Sequence, residues 1–101
     1  MSDLQAQIEE LWAGRADLSV DDVGANAAIH AAIDLLDTGQ ARVAEPDGSG
    51  EVVVHEWLKL AILLLFRQSQ MTTIEMGPFE FTDKIPLKTG WAERRVRVVP
   101  G

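Results

Sequence analysis

His55-Glu56-Trp57-Leu58-Lys59-Leu60-Ala61-Ile62-Leu63-Leu64-Leu65-Phe66-Arg67 is the stretch whose character sets the fold. Leu58, and then Leu60 through Phe66, leave almost no polar face on a helix running from about Glu56 to Arg67. A helix that is apolar nearly all round belongs in an interior, so this one is expected to be buried on most sides. Its unbroken apolar run of seven residues is far below the ~18–20 needed to cross a bilayer, which points to a protein core. The whole chain has 101 residues, enough for one small domain. Such a short chain cannot easily surround this helix by itself, so another domain or another subunit is expected to cover it.

Two amphipathic helices are expected upstream. Ser2 and Gln5 have the spacing of a capping box, and Leu4, Ile8, Leu11 and Trp12 then recur on one face as far as Gly14. Ser19 and Asp22 repeat the capping spacing, and Asp21 and Asp22 stand where a helix dipole favours negative charge. Ile29, Ala32, Ile33 and Leu36 form the buried stripe of that second helix, and Gly39 suits its left-handed end. Between the second helix and the apolar one, Ala41 to Glu45 and Glu51 to His55 flank the turn-forming Pro46-Asp47-Gly48-Ser49-Gly50, which reads as a β-hairpin.

Past Arg67 the pattern is irregular. Met71 to Met76 and Phe79 to Asp83 read as short strands broken by Gly77-Pro78, and Ile85-Pro86 favours extended backbone at Ile85. Val96, Val98 and Val99 alternate with Arg95 and Arg97 as an extended segment ending at Pro100-Gly101. The fold class is therefore mainly α with short β-hairpins, a small α+β domain. No internal repeat and no low-complexity segment is visible.

Composition narrows the function. The chain has no cysteine, which removes disulfides, thiolate nucleophiles and cysteine-ligated zinc. Its start, Met1-Ser2-Asp3-Leu4, has neither a basic nor an apolar leader region, so a soluble cytoplasmic domain is expected, with no membrane partner. A net charge of −7 argues against a general nucleic-acid partner, which needs cations to displace counterions from phosphate. The charge is uneven. Residues 1–51 hold two cations against eleven acids, and residues 52–101 hold seven against five, so an anionic ligand should favour the second half.

Most catalytic motifs fail on inspection. His55-Glu56 would need a histidine at position 59 for the helical zinc motif, and Lys59 stands there; no metal site is expected. Lys88-Thr89-Gly90 echoes a penicillin-binding element, yet no serine has a lysine three residues later. Gly48-Ser49-Gly50 lacks the lysine of a phosphate-binding loop and reads as a turn. Asp21 and Asp22 are helix-start residues, because adjacent helical positions do not face each other. His30 reads as a semi-exposed helix residue and His55 as support for the start of the apolar helix. Trp12, Trp57, Trp91, Phe66, Phe79 and Phe81 read as packing residues, without the basic-aromatic interleaving of single-strand binders.

One chemical signal survives: Arg94, Arg95 and Arg97. In an extended segment Arg95 and Arg97 would share one face, opposite Val96 and Val98. A guanidinium fork suits a carboxylate, because two parallel hydrogen bonds fix its orientation.

Several stretches together resemble one family. Leu35-Leu36-Asp37-Thr38-Gly39 with Arg42-Val43-Ala44-Glu45 is similar to the second helix end and first strand of tetrahydrodipicolinate N-succinyltransferases. His55-Glu56-Trp57-Leu58-Lys59, continuing through Ala61, Leu63, Leu64, Phe66 and Arg67, resembles that family's buried helix. Asp83-Lys84-Ile85-Pro86-Leu87-Lys88 and Arg97-Val98-Val99-Pro100 resemble two further segments, in the same order.

The resemblance implies that residues 1–101 are the N-terminal helical domain of a bacterial enzyme of diaminopimelate and lysine biosynthesis. That family transfers succinyl from succinyl-CoA to the amine of a cyclic dicarboxylate. Its members are homotrimers with a left-handed parallel β-helix of hexapeptide repeats, and this sequence ends where that solenoid would begin. No hexapeptide repeat is visible, so the chain alone is expected to bind no cofactor and to be inert. Succinyl-CoA would be a co-substrate of the full-length enzyme. The resemblance assigns Arg97 to the substrate carboxylate and no catalytic residue; Lys84, Lys88, Arg94 and Arg95 receive no role. A different possibility is a free-standing protein-interaction module that has lost the catalytic domain. Concentration-dependent association would favour the excised domain, and an open apolar patch on a stable short chain would favour the module.

Overall fold

The computed structural model describes residues 2–99, and the expected stop at Pro100-Gly101 lies outside them. The chain divides into two compact units, residues 1–70 and residues 71–101.

The first unit is built on three helices: α1, Ser2–Ala13; α2, Val23–Asp37; and α3, Glu56–Gln68. Helix α3 packs against both α1 and α2, which also meet each other. The core is one cluster in which α1 supplies Ile8, α2 supplies Ile29 and Ala32, and α3 supplies Trp57, Leu58, Ala61, Leu64 and Leu65. Ala32 and Ala61 are fully buried, and small side chains there let the helix backbones approach closely. The expected stripe of α2 is confirmed, with Ile33 and Leu36 packed partly buried against the cluster. Leu4, Leu11 and Trp12 join it in the same way from α1.

Helix α3 departs from expectation. Five of its thirteen residues are buried, and Leu63 and Phe66 remain 38% and 45% exposed. Periodicity reports how apolar a face is, whereas burial needs something to lie on it; α1 and α2 pack against part of the circumference only.

The helix ends follow local chemistry, with two differences from the sequence reading. Asp22, not Ser19, caps α2, its carboxylate accepting the Ala25 N–H at 3.0 Å. Ser19 instead begins a turn, its hydroxyl accepting the Asp21 N–H and its carbonyl the Asp22 N–H. In α1 the Gln5 amide donates forward to Glu9 at 2.9 Å rather than back, and the side-chain half of the expected Ser2 box lies outside the described residues. Gly39 closes α2 with φ +79°, in the left-handed region that glycine enters without steric cost.

A short hairpin joins α2 to α3. Strand β1, Ala44–Pro46, pairs antiparallel with β2, Val52–Val54, in the register Ala44 to Val54 and Pro46 to Val52. Proline is tolerated because both strands are edges. The loop between them is a turn, as expected: Asp47 Oδ1 accepts the Ser49 N–H at 2.8 Å and the Ser49 hydroxyl at 2.6 Å.

The second unit holds a second hairpin, β3, Thr72–Met76, and β4, Phe79–Asp83, joined through Gly77-Pro78. Gly77 has φ +61° and Pro78 holds φ negative, the pattern of a turn that matches strand twist. The register pairs Ile74 with Phe81 and Met76 with Phe79, while Glu75 faces Glu80 and Thr73 faces Thr82. Alternation therefore puts Ile74, Met76, Phe79 and Phe81 on one face, with Thr72 and Asp83 at its end, and Thr73, Glu75, Glu80 and Thr82 on the other. All ten strand residues are exposed.

Candidate functional site

The arginine cluster does not form the extended ladder that its alternation suggests. Residues 91–95 make a turn, in which the Val96 N–H donates to Trp91 O at 2.9 Å and the Arg95 N–H to Ala92 O at 3.1 Å. These are the paired bonds of a helix-ending motif whose left-handed residue is usually glycine. Here it is Arg95, with φ +59°. Arg95 therefore leaves the segment that carries Arg97, and the shared face of Arg95 and Arg97 is not formed. Alternation failed as a guide because it presumes extended backbone throughout, and an arginine at the left-handed position hides the turn. Trp91 and Val96 stand where a hydrophobic pair commonly accompanies this motif, and that spacing was the available signal.

Arg94 lies in the turn and is exposed, and Arg97 follows in irregular backbone, also exposed. Lys84 is half-buried and Lys88 exposed in the same unit.

The histidines are separate. His30 is exposed on α2. His55 stands at the N-cap of α3 without a side-chain capping bond, and its Nε2 lies 2.9 Å from Glu45 Oε1. It supports the helix start as expected, by pairing with β1 rather than by capping. No group of three or more His, Asp or Glu residues suited to a metal is present among the described residues. The Asp47 carboxyl is held below its ordinary range, chiefly by the Ser49 hydroxyl and then by the Ser49 amide. Its own carboxylate thus occupies the loop amide that a bound anion would need.

Clefts of useful size occur in the helical unit. One of about 510 Å³ lies between α1 and α2, with Glu10 as its ionisable lining residue. Another of about 570 Å³ is lined by Trp12, Ala13, Arg15, Ala16, Leu63 and Arg67. Sequence reasoning missed the second, because Arg15 and Arg67 are far apart in the chain. The polar end of α3 is the reason they meet. Arg67 donates to Leu18 O at 3.0 Å, and Gln68 donates to Ser19 O at 2.7 Å and Asn26 Oδ1 at 3.1 Å, tying this end to the loop before α2.

The helical unit thus consists of three helices and one small hairpin, and the second hairpin belongs to the other unit. Comparison with known proteins gives its kind. Residues 3–68 match the family model described as Tetrahydrodipicolinate N-succinyltransferase N-terminal, covering nearly all of the helical unit. The chain is 49% identical over 90 residues to the 2,3,4,5-tetrahydropyridine-2,6-dicarboxylate N-succinyltransferase of Pseudoalteromonas translucida, a match covering 87% of this chain and 32% of that protein. The enzyme of the same name from Granulibacter bethesdensis is 44% identical over 106 residues, covering 97% of this chain and 38% of the relative. That of Rhodopseudomonas palustris strain BisA53 is 42% identical over 110 residues, covering 100% and 39%. The chain belongs to the tetrahydrodipicolinate N-succinyltransferase N-terminal family. It spans between 32% and 39% of the length of these relatives. No helix among the described residues is long and apolar enough to cross a membrane.

Proposed function

We propose that this chain serves as the N-terminal portion of a succinyl-CoA-dependent tetrahydrodipicolinate N-succinyltransferase of the lysine and diaminopimelate route, working in the cytoplasm as part of a homotrimer. The observation that carries this reading is the family match over residues 3–68, supported by relatives aligned along 87% to 100% of the chain. The relatives' additional length would supply the acyl-transfer residues and the succinyl-CoA site, leaving this portion a structural role.

The second hairpin supports that role. Ile74, Met76, Phe79 and Phe81 are between 39% and 65% exposed on one face, and a two-stranded hairpin is marginal in water unless something packs on it. A larger protein, either its remaining domain or a second subunit, would bury that face. Apolar cover adds about 25 cal/mol for each Å² removed from water.

Arg97 is proposed as the contact for one substrate carboxylate. Its fork would fix the dicarboxylate so that the amine faces the thioester, and such positioning lowers a barrier substantially. The test is succinyl-CoA-dependent thiol release by the protein isolated from its natural source, with tetrahydrodipicolinate as acceptor. Arg97→Lys keeps the charge but not the bidentate geometry, so KM should rise or kcat/KM fall. Unchanged kinetics would remove Arg97 from the site, and no thiol release by the wild-type protein would remove the transferase reading.

A further inference from the structure

The helical unit, residues 1–70, holds four cations (Arg15, Arg42, Lys59 and Arg67) against twelve acids. Two of those four meet on one cleft, the one lined by Trp12, Ala13, Arg15, Ala16, Leu63 and Arg67. Acids outnumber cations in this unit, yet neither arginine forms an ion pair among the described residues. Each is held by uncharged acceptors instead: Arg15 Nη1 donates to Trp12 O at 2.7 Å, and Arg67 Nη1 to Leu18 O and Gln68 Oε1, both at 3.0 Å. Arg15 also stacks on the Trp12 ring, 4.1 Å from its centroid, which fixes the plane of the guanidinium. A guanidinium has five N–H donors, so both retain donors for an incoming group. Between them the cleft offers an apolar floor, where Leu63 is 38% exposed.

We propose that this cleft binds an acidic segment of another polypeptide, a carboxylate side chain engaging Arg15 and Arg67 while a neighbouring apolar side chain rests on Leu63. Charge decides the occupant's class, since held arginines without an acid of their own select carboxylates by paired hydrogen bonds. Openness decides its size. A small ligand normally has most of its surface enclosed, whereas this cleft lies open, and a peptide gains further contacts by running along it. The inference is independent of the transferase reading and concerns a different unit from Arg97.

The test is a titration of the 101-residue chain, followed by ¹H–¹⁵N NMR, with the peptide acetyl-Gly-Leu-Glu-Phe-Asp-Gly-amide. Saturable shifts at the Trp12 indole, Arg15 Nε and Arg67 Nε are expected. Replacing the peptide's Glu and Asp by Gln and Asn should weaken binding about tenfold or more, the scale of a hydrogen bond to a charged group. Arg15→Lys should weaken it too while leaving the remaining spectrum in place, which guards against loss of fold. Equal binding of the amide peptide would overturn the proposal, as would 3-phenylpropionate binding as tightly as the peptide. Shifts at the same residues on raising the chain's own concentration, without peptide, would overturn it in favour of a second copy.

Discussion

His55 Nε2 sits 2.9 Å from Glu45 Oε1, so a residue of β1 holds the residue that opens α3. The His55 N–H reinforces the link by donating to Val43 O at 2.7 Å. The two side chains are 34% and 48% exposed, and water and salt screen a pair of that kind. Glu45→Gln should therefore lower unfolding stability by less than about 1 kcal/mol, an effect that fades near ~1 M salt. Urea unfolding at low and high salt measures it, and a loss above about 2 kcal/mol would show that the pair does more than join two surface elements.

Leu63 and Leu64 are neighbours with opposite environments, 38% and 0% exposed. Leu64→Ala should cost about 2–5 kcal/mol, because a cavity opens among Ile8, Ile29 and Leu58 in the core cluster. Leu63→Ala should stay within about 1 kcal/mol. Equal costs in the 101-residue chain would mean that the outer flank of α3 is covered in solution, by self-association for instance, which sedimentation would reveal.

Asp47 supplies a pH dependence with a definite sign. Its folded pKa lies below the ordinary aspartate range because the Ser49 hydroxyl and amide favour the charged form. A depressed carboxyl contributes stability above its unfolded pKa, and that contribution is lost as pH falls through the folded value. A carboxyl-detected NMR titration should find the Asp47 midpoint below the ordinary aspartate range. Ser49→Ala should bring it back toward that range, and an unmoved midpoint would mean that the hydroxyl bond of the turn does not form in solution.

Arg95 adopts φ +59°, a region costing an L-residue other than glycine about 1–2 kcal/mol. Arg95→Gly removes that strain while loosening the unfolded chain by about 0.5–1 kcal/mol. The turn should therefore be as stable or slightly more so, read as slower exchange of the Val96 amide, which donates to Trp91 O. Faster exchange would show that the arginine side chain itself helps to hold the turn.

Local chemistry written in single residues carried through to the structure. The stripe of Ile29 and Ala32, the left-handed Gly39, the turn at Asp47 to Gly50 and the break at Gly77-Pro78 all appear where the sequence placed them. Each depends on neighbours a few residues away, and periodicity and glycine report such neighbours directly. The alternation of Arg95 and Arg97 misled for the complementary reason, since one left-handed residue breaks a period that assumes uniform backbone.

What the sequence by itself determined is the three helices, the two hairpins, their apolar faces and, through four stretches in register, the family. Only the tertiary structure decided which of those faces is covered. Leu64 is enclosed and Leu63 is not, although both belong to one apolar run, because α1 and α2 lie against one flank of α3. It also brought Arg15 and Arg67 to one cleft across 52 residues of chain. Burial and juxtaposition are relations between distant residues, set by how helices pack, and a local pattern holds no record of them.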